Sequence, residues 1–344
     1  MRATIKDVAK AAGVSPATVS LVLNKHSAAI SEGTRARVLE AAKKLRYRPN
    51  QLAIGLLSQR TRTLGLIIPD FSNQFHTALC ERIESYAEER GYSILIRVMQ
   101  NDVEKTVRYL YDFDDSGVDG VVLTNSSFIR EEDTRKCQEA IDDLHIPVLL
   151  IDRVPKEREA EAVLPNDRLG GYFAVRHLLE LGHRRIGFVT GEMYLNNCVE
   201  RLAGCRDALQ EYGIELDPSL VYEGNFQQAS GYDALPYMLG RGVTALFCFN
   251  DNIAYGVYRQ MRNYNLHIPE DLSLVGFDDL IFSDLMEPPL TTLEYPVSEM
   301  ARAAVEQLIG KIEGRSDAGT RQIYDPVLKV KGSTARPPAD CARC

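Results

Sequence analysis

The sequence lacks the features that mark membrane-spanning and secreted proteins. None of its apolar runs approaches the roughly 18 residues that a transmembrane helix needs. Its first ten residues, MRATIKDVAK, contain no apolar stretch of the signal-peptide type. The seven cysteines show neither the spacing of a disulfide framework nor paired zinc-ligand clusters. We therefore expect a soluble, cytoplasmic protein.

The sequence also lacks the common catalytic and cofactor-binding motifs. It contains no glycine loop that would cradle a phosphate, no HExxH and no GxSxG, and its six histidines are scattered. The pair Cys341-x-x-Cys344 has no second pair of ligands. We therefore expect no enzyme activity, no cofactor and no metal site.

What the sequence does contain is an uneven distribution of charge. Its 344 residues exceed one ordinary domain and predict two or three. Residues 1–62 carry 12 Lys and Arg against three acidic residues, a net charge of +9, whereas the remainder carries 28 against 45, a net charge of −17. A basic head on an acidic body favours a polyanion as partner of the head, although a merely solvated basic surface would look the same.

The first 23 residues predict two short helices joined by a tight turn. Thr4 and Asp7 form a capping-box-like start for IKDVAKAA, which ends at the turn residue Gly13. Ser15 can cap the second helix, PATVSLVLN, in which Pro16 occupies the first helical position without losing a hydrogen bond. This spacing is typical of a helix-turn-helix, and a plain three-helix bundle is the alternative.

A third helix is expected after Ser31, another capping residue, with four apolar residues on one face: Val38, Ala41, Ala42 and Leu45. Pro49 then ends the exit from this helix, and Asn50 can cap the segment QLAIGLLSQ. A segment this short that contains Gly55 is marginal as an isolated helix, so we expect it to be helical only conditionally.

From Leu64 onward, apolar strands alternate with amphipathic helices. The strand-like runs are LGLIIPD, YSILIRVM, DGVVLT, IPVLLID, RRIGFVTG, LVYEGNF, TALFCFND and LSLVGFDD. Such alternation predicts parallel sheets covered by helices on both faces, in a chain long enough for two lobes. The last strand, IYDPVLKVKGS, is expected to return to the first lobe, and the Pro-rich end to form a disordered tail.

Polar and aromatic residues follow several of these strands. Since ligands of such sheets bind beyond the carboxyl ends of the strands, these residues predict a cleft for a sugar or nucleoside. They are Asp70 to Phe75, Asp152 and Arg153, Arg201, Asn250 and Asp251, and Phe277 to Asp279. Taken singly, an Asp after a strand is more often a helix cap and a Phe is more often part of the core. The prediction therefore depends on the convergence of these residues at successive strand ends.

The segment TIKDVAKAAGVSPATVSLVLN, followed by a third helix and YRPN, strongly resembles the lactose-repressor family, and the likeness continues to about residue 334. The resemblance implies an all-α helix-turn-helix head at 1–48, a hinge helix at 49–62 and a core at 63–334, with a tail at 335–344. The core is expected to be a two-lobed α/β fold of the periplasmic-binding-protein type with two doubly wound parallel sheets. Its first lobe would comprise 63–164 and 291–334, and its second lobe 165–290.

In that family the second helix lies in the major groove of DNA. The resemblance therefore implies base-edge contacts near the start of this helix from Pro16, Ala17 and Leu21, with Ser15, Thr18 and Ser20 beside them as further DNA-binding residues. Leu21 stands where many members carry Arg, so contact with thymine methyl groups replaces bidentate recognition of guanine. Phosphate contacts are expected from Thr4, Asn24, Arg35 and Tyr47, with Asn50 as a further DNA-binding residue. Leu56 matches the leucine that wedges into the minor groove when two hinge helices pair on the operator, and a buried linker helix is the alternative.

The same resemblance implies the effector-binding residues of the core: Phe71, Asn73, Phe75, Arg153, Arg201, Phe226, Asn250, Asp278 and Tyr295. The chain departs from the family pattern at NDRLGG, where Asn166 and Asp167 exchange places, and at Tyr295, where Gln is frequent. Both departures affect which hydroxyls the cleft accepts.

We therefore expect a homodimeric, DNA-binding regulator, a repressor by preference, controlled by a small sugar-like effector. The alternative is a catabolite-control type of regulator governed mainly by a protein co-effector, because FSN after the first strand also occurs there.

Overall fold

The computed structural model describes residues 3–23, 30–47, 60–125, 128–155, 162–315 and 320–338. The chain divides into two compact units, Met1–Arg62 and Thr63–Cys344. Within the described residues, no helix is both long enough and apolar enough to cross a membrane.

The N-terminal unit is built from three short helices: α1 (Ile5–Ala12), α2 (Pro16–Leu23) and α3 (Glu32–Lys44). Val8, Val19 and Val38, one from each helix, are fully buried in its small core. The predicted capping box and the cap at Ser31 are confirmed. Leu45 was predicted on the same face of α3 as Val38, and its N–H still donates to the carbonyl of Ala41 at 3.0 Å, but its side chain is 37% exposed. The helix ends at Lys44 and the chain turns through a positive φ at Arg46, so Leu45 lies at the exposed end of α3.

The second unit contains a six-stranded parallel sheet in the order β2-β1-β3-β4-β5-β11. Its strands are β1 (Thr63–Ile68), β2 (Ser93–Val98), β3 (Gly120–Asn125), β4 (Val148–Arg153), β5 (Ala162–Pro165) and β11 (Gln322–Tyr324). The helices that follow its early strands are α4 (Gln74–Glu89), α5 (Val103–Ser116) and α6 (Glu131–Asp143).

A second parallel sheet has the order β7-β6-β8-β9. Its strands are β6 (Ile186–Thr190), β7 (Val221–Glu223), β8 (Ala245–Cys248) and β9 (Ser273–Val275). The remaining helices are α7 (Asp167–Glu180), α8 (Asn196–Glu211), α9 (Gln228–Leu239), α10 (Asp251–Tyr264) and α11 (Val297–Ile312). The predicted fold class, an all-α head and a two-lobed α/β core, is confirmed.

Burial explains why the strand sequences read as continuous apolar runs. All five residues of β6 and the last five of β1 are buried, since helices cover both faces of a parallel sheet. Strand β2 differs, because Leu95 and Ile96 remain exposed at the sheet edge, where the strand has a neighbour on one side only.

The last part of the core forms two short strands instead of the single predicted one. Strand β11 joins the six-stranded sheet beside β5, whereas β12 (Val327–Lys329) pairs antiparallel with β10 (Thr292–Glu294). Asp325 and Pro326 separate them, and Pro326 has no N–H to donate to a sheet. The expected return to the first lobe is therefore made by β11 alone.

The chain after β12 packs against the second sheet. The backbone N–H of Leu274 donates to the carbonyl of Ser333 at 2.8 Å, and the Ser333 hydroxyl donates back to Leu274 at 2.6 Å. Ala335 follows, and its N–H donates to Ser273 Oγ at 3.0 Å. The prediction of a disordered tail is thus wrong for Ala335, while residues 339–344 lie outside the described part of the chain.

Helices α7 and α8 approach each other closely through glycine. A Cβ added at Gly171 would collide with the carbonyl of Arg201, and one added at Gly204 would collide with the carbonyl of Arg168. Each glycine therefore faces the backbone of the other helix. This close approach brings the side chains at the start of α7 next to those of α8.

Candidate functional sites

The exposed face of α2 carries most of the residues predicted to read DNA bases. Ser15 caps this helix, since its hydroxyl oxygen accepts from the N–H of Thr18 at 3.1 Å. Pro16 and Ala17, which are predicted to contact base edges, are exposed. Of the residues predicted beside them, Ser15 is exposed, and Thr18 and Ser20 are half-buried. Leu21 is 47% exposed, although it is a large apolar residue in a folded helix. An apolar side chain presented to solvent at this position is what recognition of thymine methyl groups requires.

The residues predicted to contact phosphates differ in their solvent exposure. Thr4 is exposed and belongs to the capping box, in which its N–H donates to Asp7 Oδ2 at 2.8 Å. These hydrogen bonds from Thr4 lower the pKa of Asp7. Arg35 and Tyr47 are half-buried, and Tyr47 packs against the small helical core. The predicted contacts at Asn24, Asn50 and Leu56 lie outside the described residues.

In the core unit, Arg201 on α8 and Asp167 at the start of α7 form a buried ion pair. Both Nη2 and Nε of Arg201 donate to Asp167 Oδ1, at 2.5 and 3.1 Å, and Nη1 donates to the carbonyl of Phe249. The guanidinium lies 3.5 Å from the ring centroid of Phe277. Arg201 thus has partners on three sides, and its position is fixed by the protein itself.

Tyr295 completes this arrangement. Its hydroxyl donates to Asp167 Oδ1 at 2.9 Å, and its ring lies 5.0 Å from that of Phe277 and 6.4 Å from that of Phe75. Burial, with Asp167 next to it, raises the pKa of Tyr295 well above its ordinary value. Tyr295 in place of the frequent Gln therefore supplies a donor to Asp167.

Asn166 and Asp167, whose order is exchanged relative to the family pattern, have different roles. Asn166 caps α7 by accepting from the N–H of Leu169 at 3.2 Å, and its Nδ2 donates to Asp325 at 2.7 Å. Asp167 is left to point inward to Arg201. The sequence analysis identified the exchange but did not include Asp167 among the site residues. Two signals could have indicated that Asp167 pairs with Arg201: the Arg in VERLAG and the buried start of α7.

Asn250 and Phe226 form a further contact, within the second lobe. Asn250 caps α10 through Ile253 N–H at 2.9 Å, and its Nδ2 donates to the carbonyl of Phe226 at 3.1 Å. Phe226 has a positive φ of 61°, which is costly for a residue with a Cβ, so Asn250 helps to hold a strained conformation. The guanidinium of Arg153, at the end of β4 in the first lobe, lies 5.0 Å from the Phe226 ring centroid. Residues predicted for the two halves of the cleft therefore meet.

On the first lobe, the turn after β1 supplies residues of unequal exposure. Asn73 caps α4 by accepting from Phe75 N–H at 3.0 Å, and both side chains are buried. Phe71, in contrast, is 53% exposed and does not join the buried group. Of the predicted effector residues, only Phe71 lies this far out.

Asp278 follows β9 in the second lobe with a positive φ of 101°. Burial raises the pKa of its carboxyl well above the ordinary value, against the opposing effect of Arg201. A strained backbone and a desolvated carboxylate together are typical of a ligand site.

Two further buried residues of the first lobe lie at the candidate site. Asp152 was predicted among the strand-end residues of the cleft but not among those that the family resemblance implies, and His76 was missed. Asp152 comes directly before Arg153, and burial raises its pKa to about 7 even though Arg153 opposes the shift. His76 lies one residue after Phe75 and is 1% exposed, and burial together with Arg153 lowers its pKa to about 3. The distance from His76 Nε2 to Asp152 Oδ2 is 3.9 Å. The strand-end position of Asp152 was a usable signal, whereas a single His in an amphipathic helix gives none.

No cluster of three or more potential metal ligands occurs among the described residues.

Two family descriptions match the chain. Residues 4–50 match the bacterial regulatory proteins of the lacI family, and residues 175–334 match a periplasmic binding protein-like domain. The matched segments coincide with the helical head and with most of the second lobe and the closing segment of the core.

Similar proteins cover almost the whole chain. The HTH-type transcriptional regulator DegA of Bacillus subtilis (strain 168) is 35% identical over 341 residues, which is 97% of this chain and 99% of that protein. The HTH-type transcriptional repressor PurR of Aliivibrio salmonicida (strain LFI1238) is 34% identical, over 91% of this chain and 93% of that protein.

Among solved structures, a lac repressor dimer bound to operator and the anti-inducer ONPF has a TM-score of 0.86 at 26% identity, covering 97% of this chain and 100% of that one. A complex of the transcriptional regulator CelR with cellobiose has a TM-score of 0.72 at 31% identity, covering 96% and 100%. With the head, the core and their order all matched along the chain, this protein belongs to the lacI family of bacterial regulatory proteins.

Proposed function

We propose that this protein is a homodimeric transcriptional repressor whose N-terminal helices bind an operator and whose core binds a small, sugar-like effector. The observation that carries the proposal is the combination, in one chain, of an exposed reading face on α2 with a cleft whose polar groups come from strand ends of two sheets. Carboxylates, amides and guanidinium groups with aromatic rings among them suit a polyhydroxylated ring.

The proposed site residues divide by lobe. Arg153, Asn73 and Phe75 belong to the first lobe, and Arg201 and Asp278 are among those of the second. A ligand held between the two sets would favour closure of the lobes, which can change the separation of the two heads in a dimer. The operator complex of the lac repressor dimer and the cellobiose complex of CelR support both halves of this proposal.

The proposal is tested with DNA and ligand in one experiment. An operator is selected from random duplexes with the full chain, and its affinity is then measured with and without saccharides and nucleosides. We expect at least one compound to change operator affinity severalfold. Asp278→Asn should remove this response and leave operator affinity without ligand unchanged, whereas Asp114→Asn, an acidic residue on α5, serves as the matched control.

Failure to select any operator would contradict the regulator function. An operator whose affinity no small compound changes would contradict the effector and favour the protein co-effector alternative.

A further inference from the structure

The two sides of the cleft differ in how well their buried polar groups are paired. On the second lobe, Asp167 accepts three hydrogen bonds from Arg201 and Tyr295, although Oδ1 of the buried Asn197 on α8 has no hydrogen-bond partner among the described residues. On the first lobe, several buried polar atoms have no hydrogen-bond partner among the described residues: Oδ2 of Asp152, Nε of Arg153 and both ring nitrogens of His76. Their side chains are at least nine-tenths buried. Because unpaired buried polar groups are costly, a group from outside the protein is the natural partner for them.

The spacing of these atoms defines what that partner must be. His76 Nε2 and Asp152 Oδ2 are 3.9 Å apart, which is too far for a hydrogen bond between them. A single hydroxyl oxygen at about 2.8 Å from each would bridge this gap at an angle of roughly 90°. The hydroxyl would donate to the carboxylate and accept from the imidazole N–H. Arg153 Nε lies 3.6 Å from the same carboxylate oxygen, so it can donate to the neighbouring oxygen of a diol.

The charges around this gap argue against an anionic ligand. Asp152 and Asp278 place two carboxyl groups at the cleft, and His76 is held neutral by burial, which lowers its pKa to about 3. The guanidinium of Arg201 is already engaged by Asp167 and Phe249. A phosphate or carboxylate entering here would find Arg153 as its main cation, next to Asp152.

We infer that His76 and Asp152 together bind one hydroxyl of an uncharged polyol, and that this pair selects neutral saccharides against sugar phosphates and sugar acids. The inference rests on the proposed function, because it specifies the ligand class of the same cleft.

The test uses the full chain and calorimetric titration with eight probes: D-glucose, D-galactose, D-ribose, cellobiose, glucose 6-phosphate, galactose 6-phosphate, ribose 5-phosphate and D-glucuronate. We expect at least one neutral sugar to bind, and all four charged probes to bind at least tenfold more weakly than that sugar. Asp152→Asn and His76→Phe should each weaken binding of that neutral sugar about tenfold or more. His76→Gln, which keeps a donor and an acceptor, should recover part of the loss.

The chain offers a matched control in the same lobe. His145 and Asp114 form a His–Asp pair at 2.9 Å, in which the histidine side chain is 92% exposed. Asp114→Asn and His145→Phe should leave ligand affinity unchanged. The melting temperature without ligand separates binding from structure. Asp152→Asn should hold or raise it because it removes a buried negative charge, and His76→Phe should do so because it removes two unpaired ring nitrogens.

Three outcomes would overturn the inference. The first is a neutral sugar whose affinity both variants leave unchanged. The second is a sugar phosphate that binds more tightly than its parent sugar. The third is a loss of affinity in the variants together with a drop of several degrees in melting temperature. Each of these leaves the sugar effector intact. If none of the eight probes binds, the sugar effector of the proposed function fails as well.

Discussion

Arg201 and Asp167 join helices α8 and α7 through a buried ion pair of 2.5 Å, while Arg168 and Asp207 join the same two helices through an exposed pair of 2.6 Å. The side chains of the first pair are about 5% exposed, and those of the second are 39–55% exposed. The two pairs therefore share their chemistry and their helices and differ in solvent access.

We therefore expect the removal of the two arginines to lower the free energy of unfolding by different amounts. Arg201→Ala strands the buried Asp167 carboxylate and should lower the free energy of unfolding by about 3–5 kcal/mol. Arg168→Ala should cost about 1 kcal/mol or less, because an exposed pair is screened by water. Urea unfolding of the two variants measures the difference, and similar losses in both would show that Arg201 and Asp167 are not desolvated together.

The raised pKa of Asp152 predicts a pH-dependent difference between wild type and Asp152→Asn. With a pKa of about 7 in the folded protein against an ordinary value of 3.8, the folded state binds this proton more tightly. The wild type should therefore lose stability relative to the variant as pH rises from about 4 to 7. His76, whose pKa is lowered, acts in the opposite direction in both proteins and cancels in the comparison.

Five titratable groups interact with Asp152. They are Arg153 on its own strand, His76 on α4, Asp167 on α7, Arg201 on α8 and Asp278 after β9. None of them is altered in the variant. This expectation is tested by measuring the melting temperatures of the wild type and of Asp152→Asn at half-unit steps from pH 4 to 8. A difference that stays constant across this range would mean that Asp152 is ionised throughout.

Leu21 gives a prediction for DNA recognition with an internal control. Leu21 on α2 is 47% exposed, and Leu39 on α3 is 48% exposed. Leu21→Ala should weaken binding to the selected operator severalfold and leave binding to random DNA unchanged, because it removes an apolar base contact and no phosphate contact. Leu39→Ala should change neither affinity.

Operator and random-sequence affinities, each measured at several salt concentrations, test this expectation. The dependence of log affinity on log salt should remain as steep in the Leu21 variant as in the wild type, since the number of neutralised phosphates is unchanged. An equal loss on both DNAs would remove Leu21 from sequence reading.

Gly204 predicts a steric limit on the packing of α7 against α8. A Cβ at this position collides with the Arg168 backbone, so Gly204→Ala should lower the free energy of unfolding by about 3 kcal/mol or prevent folding. Gly33→Ala, in α3, meets open space and should cost nothing. Thermal unfolding of both variants decides the point, and a fully stable Gly204→Ala would mean that the helices can separate without cost.

Local signals in the sequence account for what could be predicted. The capping box of Thr4 and Asp7 and the cap at Ser31 depend on neighbours three residues away, and apolar runs as long as LGLIIPD predict buried strands. The strands β10 and β12 have three residues each, and their pairing is set by contacts between distant parts of the chain. No local pattern identifies such strands.

The cleft residues that could be predicted are those that follow a strand or match the family pattern. Arg201 and Tyr295 were named, but their common partner Asp167 was recognised only as a departure from a motif. His76 could not have been found, because its significance comes from the 3.9 Å separation from Asp152, a residue 76 positions later in the sequence. Interactions of this kind depend on the tertiary fold.

The pairing of Leu274 with Ser333 also sets an order of events during synthesis. Leu274 precedes its partner Ser333 by 59 positions in the sequence, so the ribosome adds it first. At roughly 5–20 residues per second, a ribosome needs about 3–12 seconds to supply the missing segment. During that interval the edge of the second sheet has unpaired N–H and C=O groups, which can pair with other chains. Cellular chaperones that shield such edges should therefore matter most for nascent chains that end between these two residues.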